Sequence, residues 1–581
     1  MTYIERYTQA RHLEAYLGDP SDRANQVSFA RAAASDERDE YPAAACAQID
    51  GWGFAEHYIP VADGGRLDSF EEFMALWRVL ARRDVTMAIA HLKTFLGAIP
   101  VWVAGSAQQR HELAELIRRP QQVALALTER AHGSDLVATE LAATAVDRGY
   151  LLSGEKWLIN NATRSAALTV LARTDLAGGP RGSSLFLVQK SQLDSASYSH
   201  LARAKTLGIR GADISGIRFD RCYLPATALL GSPGTGLELT LKILQVTRTM
   251  CAGLSLGAGD TALRVALDFA LTRQIYAATV FAIPHAKRML IDAFLDLLIC
   301  DCVAVSGARA IHAAPEQMSV WSAVVKYFVP TTVDHMIRQL AVVLGARHYL
   351  RGEQGAGIFQ KFARDNAIIG LFDGSTVVNL HALMQQLRQL SARRAAASQG
   401  AAQPDHMRAV FDLSAPLPAF RPEQLELLNR GKDMVLQGLD ATCADLDAAC
   451  ATSADPTLAA IRSLAAQVRV GVAALDQARA HGEQRQGVAF SSSLELYELA
   501  KRHCTLHAAA ACLHMWRFNR LHNGAFFAGG AWLALCLQRL LQRLGPVESA
   551  LPASYTDHVA DELVRRYREH QAFSIIPLAL D

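Results

Sequence analysis

The sequence has little that would anchor, export or crosslink it. Its 581 residues carry ten cysteines, scattered without metal-ligand spacing. That pattern reads as reduced, mostly buried thiols rather than a disulfide framework. No stretch of about 18 uncharged apolar residues is present to span a bilayer. The N-terminal MTYIERYTQARHLEAYLGD mixes charges early and lacks an apolar h-region, so the expectation is a cytoplasmic protein. No long basic block occurs, and the formal charge is only +2, which argues against a nucleic-acid partner. The nearest approach to a ligand cluster is RHCTLH, 502–507. It lies on a helical apolar stripe and is expected to be core packing, with no metal.

What is present is a globular composition, half hydrophobic and one-fifth charged, too long for one core. Residues up to about 119 read as helices: FEEFMALWRVLARRD and QQRHELAELI carry apolar positions at helical spacing. IPVADGGRLDSF reads as a loop with a Gly pair. The texture then changes over 120–232. VALALT, GYLLSGEKWLI, AALTVLART, SSLFLVQ and SGIRFDRCYL are short runs split by turn residues, as in a β domain. Residues 233–392 return to helix with few breakers. A linker is expected over 393–407, where SARRAAASQGAAQPDHM is small, polar and Pro-bearing. Helical periodicity resumes over 408–581, as in WLALCLQRLLQRL.

Several segments, in order, resemble the acyl-CoA dehydrogenase family. LALTERAHGSDL (125–136) and GEKWLINNA (154–162) are similar to its paired flavin-binding signature. GWGFAEHYIPVADGG, KTLGIRGADISGIRFDRCYLPATALLG, RTMCAGLSLGAGDTALRVALDFALTRQIY and RDNAIIGLFDGST follow the same order. The resemblance covers about residues 25–390. It implies an N-terminal helical domain, a middle β-barrel and a C-terminal four-helix bundle. The chain is thus expected to be mainly α with a β domain. The tail resembles the additional C-terminal helical domain of long, very-long-chain-type members.

The resemblance implies FAD and a base that removes an α proton from an acyl thioester while the β hydrogen passes to the flavin. Asp373 aligns with that base. A carboxylate in a closed apolar site has lost its water, which raises its proton affinity. In the family the backbone N–H of the base residue helps to bind the thioester oxygen. The local reading of Asp-Gly-Ser-Thr is a turn or helix cap. The family usually has Glu here. The shorter Asp resembles nitroalkane oxidases, relatives on the same fold, and keeps a non-thioester substrate open. Thr247 occupies the alternative base position of some members and cannot serve as a base.

By the same register, Leu125, Leu127, Thr128, Gly133 and Ser134 match contacts to the isoalloxazine and pyrophosphate, Ser134 also to the acyl-CoA. Leu158 and Asn160 replace the family's aromatic wall and its Thr near flavin N5; Trp157 reads as packing beside the ring. Ser375 joins the flavin contacts, and Phe372, Gly374 and Arg248 the substrate contacts, Arg248 having an ordinary helix-surface salt bridge as its bland reading. Arg273 matches an Arg that reaches a neighbouring subunit's FAD diphosphate. Tyr276-Ala277, Pro284 and VVLGARHYL (342–350) depart from the family there, with Val342, Ala346 and His348 standing for Gln and two glycines. A Cβ at a close-approach glycine position is costly; Arg347 and His348 offer positive charge instead.

Three readings stay open: a dehydrogenase acting on an acyl thioester of CoA or a carrier protein, a flavoprotein oxidase acting on a nitroalkane or acyl-CoA, and a non-catalytic scaffold. The resemblance implies an electron-transfer flavoprotein as acceptor and a homodimer or homotetramer. Arg-rich amphipathic helices such as LQRLLQRL permit contact with a membrane surface, although solvated helices are the ordinary reading.

Overall fold

The computed structural model describes residues 3–175, 177–352, 355–397, 404–547 and 550–580. It resolves into two compact units, one of residues 20–68 and 83–247, the other of residues 1–19, 69–82 and 248–581.

The smaller unit holds an eight-stranded sheet. Its strands are β1 (Val123–Ala126), β2 (Ala142–Val146), β3 (Gly149–Asn160), β4 (Ala167–Arg173), β5 (Ser183–Gln189), β6 (Tyr198–Leu201), β7 (Ile214–Pro225) and β8 (Leu229–Leu230). They run in the order β6-β7-β3-β2-β4-β5-β8, and β1 pairs in parallel with β4. β4 and β5 are buried almost throughout, which is why ALTVLAR and SSLFLVQ read as continuous apolar runs. Leu152, Ile159, Phe186, Val188, Ile217 and Phe219 belong to its core.

The helix Val85–Ala104 fixes β1. Asp84 caps it by accepting the Thr86 N–H at 2.9 Å. Its Gly97 passes so close to β1 that a Cβ there would lie 2.7 Å from the Val123 carbonyl carbon. Gly97 also accepts a hydrogen bond from the Thr169 hydroxyl at 2.8 Å. Among the described residues, Val85–Ala104 and Pro456–Ser492 are long and apolar enough to cross a membrane by length and composition. The most apolar stretch of the first is 89% buried, as in a core helix, whereas that of the second is 28% buried. Both are interrupted by charge, at Lys93 and at Arg462 and Arg469.

The larger unit is helical. Gly236–Thr272 (from Arg248 onward), Pro284–Ala313, Met318–Leu344 and Thr376–Met384 are its bundle helices. Arg78 ties two of them to the helix Phe70–Arg83, with Nη1 donating to Asp301 at 2.8 Å and Nη2 reaching Asp260 at 3.5 Å. The same carboxylates accept the Phe573 and Ile575 N–H groups, which docks the C-terminal segment. Of the expected linker 393–407, residues 398–403 lie outside the described residues. Helices Leu387–Ala397 and Pro404–Phe411 flank them.

The tail is fastened by charge as well as by apolar packing. Arg539 grips Asp296 through two nitrogens, at 2.8 and 2.7 Å, and Arg543 adds a third bond at 2.8 Å. Fully buried Arg309 donates to the carbonyls of Ala409, Val410, Asp412 and Ala415. A guanidinium suits this role because its five donors fan out in one plane.

Two core histidines give this unit an acid limit. His312 faces the Pro418 carbonyl with Nδ1 at 3.0 Å and accepts the Phe70 N–H on Nε2 at 3.0 Å. His514 faces the Val435 carbonyl with Nε2 and the Thr442 hydroxyl with Nδ1, both at 2.8 Å. A second proton on either ring would displace a donor, and burial pushes each imidazole down to about 4. The unfolded value is about 6.5, so the unfolded chain binds more protons below it. Stability from these groups is complete above pH 6.5 and is lost as pH falls toward 4. Each should cost about 2 kcal/mol at pH 5 relative to pH 8. Urea melts across that range check this, and His312→Gln should flatten the slope.

Candidate active site

In the larger unit the residues around Asp373 form a closed loop between two helices. The helix Ile358–Ile369 ends at Gly370, whose carbonyl accepts both the Thr376 N–H (3.0 Å) and the Thr376 hydroxyl (3.1 Å). Ser375, not Asp373, caps the following helix, its Oγ accepting the Val378 N–H at 3.4 Å. The capping role suggested by Asp-Gly-Ser-Thr therefore falls on Ser375. Asp373 sits at φ +53° and Gly374 at φ +102°. A left-handed Asp is uncommon, and such positions concentrate where function over-determines the backbone.

Two buried cations hold this backbone. Arg248 Nε donates to the Asp373 carbonyl at 2.9 Å. Lys326 Nζ donates to the Phe372 carbonyl at 2.7 Å and also to the Ile369 carbonyl. Lys326 is 1% exposed and Arg248 8%. Burial pulls the Arg248 guanidinium below its usual value, and the nearby Asp373 partly restores it. Arg248 is thus a buried clamp rather than a surface salt-bridge residue. Because a peptide is planar and trans, holding the Phe372 carbonyl also aims the Asp373 N–H the opposite way. The Asp373 carboxylate is half-buried, with Cys251 Sγ 3.8 Å from Oδ2. Phe372 lies under Lys326, whose Nζ is 5.0 Å from the ring centroid.

Gly374 tests the clamp. A Cβ there would fall 2.7 Å from Arg248 Nη2 and 2.8 Å from Nε, at a φ that disfavours any side chain. Gly374→Ala should displace Arg248 and lower catalytic turnover about 100-fold, the loss expected of an ångström-scale misplacement. Flavin content, read from the visible spectrum, should remain unchanged.

In the smaller unit, β1 and β3 are stitched at their ends. The Trp157 N–H donates to the Thr128 carbonyl at 3.0 Å, and the Thr128 hydroxyl donates to the Trp157 carbonyl at 2.7 Å. The register of β3 against β7 shifts between Trp157 and Ile159. Leu158, at that bulge, has φ +59° and is 44% exposed. A Leu held in the left-handed region is a strained backbone position. Trp157 is half-buried, with the Arg130 guanidinium 4.4 Å above its ring. Leu127 is buried, Leu125 and Asn160 are half-buried, and Gly133 and Ser134 lie in an exposed loop.

A buried ion pair organises this loop and was not singled out from the sequence. Lys156 Nζ donates to Glu129 at 2.7 Å and to the Leu127 carbonyl at 2.9 Å. Glu129 also accepts the Glu140 and Leu141 N–H groups, at 2.8 and 3.0 Å. Burial lowers Lys156 to about 8 even beside its partner. The signals were the E of TERAHGSD and the K of GEKW; for Lys326, one charge inside WSAVVKYFV.

The residues near Leu158 fit FAD. The bulged, exposed Leu158 supplies an apolar face for a flat ring. Thr128 retains acceptor capacity on its hydroxyl, and Asn160 offers an amide. Arg273, by contrast, is exposed at the end of Gly236–Thr272, ahead of a two-strand hairpin whose turn residues Tyr276 and Ala277 both have positive φ. Gly345–Tyr349 is a short 3-10 turn in which His348 Nδ1 faces the Gly345 carbonyl at 2.5 Å. Ala346 in that turn is exposed.

The smaller unit thus presents an exposed apolar bulge at Leu158, and the larger unit, by itself, clamps a carboxylate loop. Residues 124–222 match the acyl-CoA dehydrogenase middle domain and residues 234–388 the acyl-CoA dehydrogenase C-terminal domain. A probable acyl-CoA dehydrogenase, fadE25, of Mycobacterium leprae (strain TN) is 26% identical over 349 residues, 60% of this chain and 88% of that protein. The fold is similar to that of a glutaryl-coenzyme A dehydrogenase solved with glutaryl-CoA (TM-score 0.59, 21% identity, 66% of this chain and 95% of that one). An acyl-CoA dehydrogenase from Bacillus anthracis complexed with FAD extends the likeness to 90% of each chain, tail included (TM-score 0.67, 16% identity). The two family matches place residues 124–222 and 234–388 with the middle and C-terminal domains of acyl-CoA dehydrogenases.

Proposed function

We propose that the protein desaturates the α,β bond of an acyl thioester to a trans-2-enoyl thioester, with Asp373 as the α-proton base. The observation that carries this reading is the doubly clamped Asp373 loop. Arg248 and Lys326 hold the peptides on either side of Asp373 by their carbonyls, so the carboxylate is aimed without being consumed by a cap. Phe372 and Gly374 bound the acyl arm. The Asp373 N–H, aimed away from Lys326, binds the thioester oxygen and stabilises enolate charge. The cofactor implied here is FAD, which would supply the acceptor for the β hydrogen as hydride. Thr128, Leu158, Asn160 and Ser134 of the smaller unit would hold that cofactor, Ser375 would add a contact, and Arg273 would serve a neighbouring subunit's copy. Exposed Tyr276, Val342 and Tyr349 support a homodimer or homotetramer. A thioester of CoA or of a carrier protein fits equally, with an electron-transfer flavoprotein as acceptor and the cytoplasm as location.

Asp in place of Glu favours a second reading, an oxidase. One titration separates the two. Anaerobic octanoyl-CoA or palmitoyl-CoA should bleach the flavin, and the product should be the enoyl thioester. Bleaching by nitroethane alone would indicate a nitroalkane oxidase. Rapid reoxidation in air after acyl-CoA bleaching would indicate an acyl-CoA oxidase. A protein purified without flavin bands and unable to take up FAD would be a scaffold.

A further inference from the structure

The tail contains three converging metal-type donors that the reaction does not use. His503 and His507 lie one turn apart on the same face of the helix Leu494–Asn519, the i, i+4 spacing that lets two imidazoles share one ligand. Asp433 is the N-cap of the short helix Met434–Gln437. All three are fully buried. One donor atom from each lies within 4.8 Å of the others.

Their hydrogen bonding separates them from ordinary core residues. Among the described residues, both ring nitrogens of His503 and of His507 lack a hydrogen-bond partner, as does Asp433 Oδ2, which lies 3.8 Å from His503 Nε2. His514, farther along the same helix and equally buried, has both nitrogens engaged. That contrast matters, because buried polar atoms are almost always paired. The other Asp433 oxygen accepts the Leu436 N–H at 3.4 Å, which orients the carboxylate. The positive neighbour is Arg394, whose Nη1 is 3.7 Å from Asp433 Oδ2. Arg394 is chiefly committed to Asp476, through Nη2 at 2.6 Å and Nε at 3.1 Å. The edge of Trp321 closes the site beside His507, 5.3 Å between centroids.

We propose that Asp433, His503 and His507 form a structural site for a divalent first-row transition ion, zinc by preference. Two imidazoles and one carboxylate are a zinc-type donor set. Tetrahedral bonds of about 2.0 Å bring donors within about 3.4 Å of each other, so modest side-chain rotations complete the site. The ion would join the 494–519 helix to the segment entering Met434–Gln437, far along the chain from Asp373.

The test is metal analysis of the full-length, tag-free flavoprotein from zinc-supplemented culture. About one zinc per chain is expected, falling below a tenth in His503→Gln/His507→Gln, with flavin content and acyl-CoA bleaching retained. Should that variant fail to fold, zinc-edge X-ray absorption on the unmodified protein decides. A shell of two imidazole nitrogens and carboxylate oxygen at about 2.0 Å supports the site. Absence of stoichiometric metal, a sulfur shell, or zinc retained by the folded double variant would overturn it.

Discussion

Asp373→Asn is expected to bind flavin normally and to lose substrate-driven bleaching by about 10²- to 10⁴-fold, the usual worth of a positioned general base. The amide has nearly the same shape as the acid but cannot take a proton at neutral pH. The clamp survives the change, because Arg248 and Lys326 bond backbone carbonyls rather than the side chain. The loss should therefore sit in the rate of anaerobic reduction and not in cofactor content or thermal stability. Stopped-flow reduction by octanoyl-CoA checks this. Asp373→Glu is expected to retain measurable turnover, since the family ordinarily houses the longer acid. A rate for Asp373→Asn close to that of the unmodified protein would remove Asp373 from the mechanism.

Lys156→Met should have the largest effect on stability. Glu129 would keep its two backbone N–H donors but lose its buried cation. Removing one partner of a buried pair typically costs about 3–5 kcal/mol, because the remaining charge is stranded. The Leu127 carbonyl also loses its donor, so the β1–β3 junction beside Thr128 loosens. Both a lowered melting temperature and weaker FAD retention are expected. Adding Glu129→Gln to Lys156→Met should recover part of the stability by removing the stranded charge, a coupling that a double-mutant cycle measures. A single variant that melts like the unmodified protein would show that the pair is dispensable.

The parts legible in sequence were those that depend on neighbours along the chain. The β strands announced themselves because ALTVLAR and SSLFLVQ are buried on both faces, and the helices through their apolar spacing. The loop around Asp373 was readable as a motif, yet its clamp was not. Arg248 and Lys326 meet it across more than 40 residues of chain, and a lone Lys in an apolar helix carries no address. Leu158 read as a plain apolar substitute, because a left-handed backbone at a bulge leaves no mark in residue type. The tail read only as helix. Its docking rests on Asp296 meeting Arg539 and Arg543, pairs more than 240 residues apart. RHCTLH read as core packing. Its histidines are buried, and only the three-dimensional surroundings reveal that His503 and His507 lack the partners His514 has.

The most direct test of the central claim is a crystal structure of the flavin-loaded protein with an acyl-CoA analogue that cannot be oxidised. The account predicts an Asp373 carboxylate oxygen within about 3.5 Å of the analogue's α carbon, with the isoalloxazine on the opposite face of the acyl arm. A carboxylate turned to bulk water, or a thioester bound away from the 370–376 loop, would contradict it.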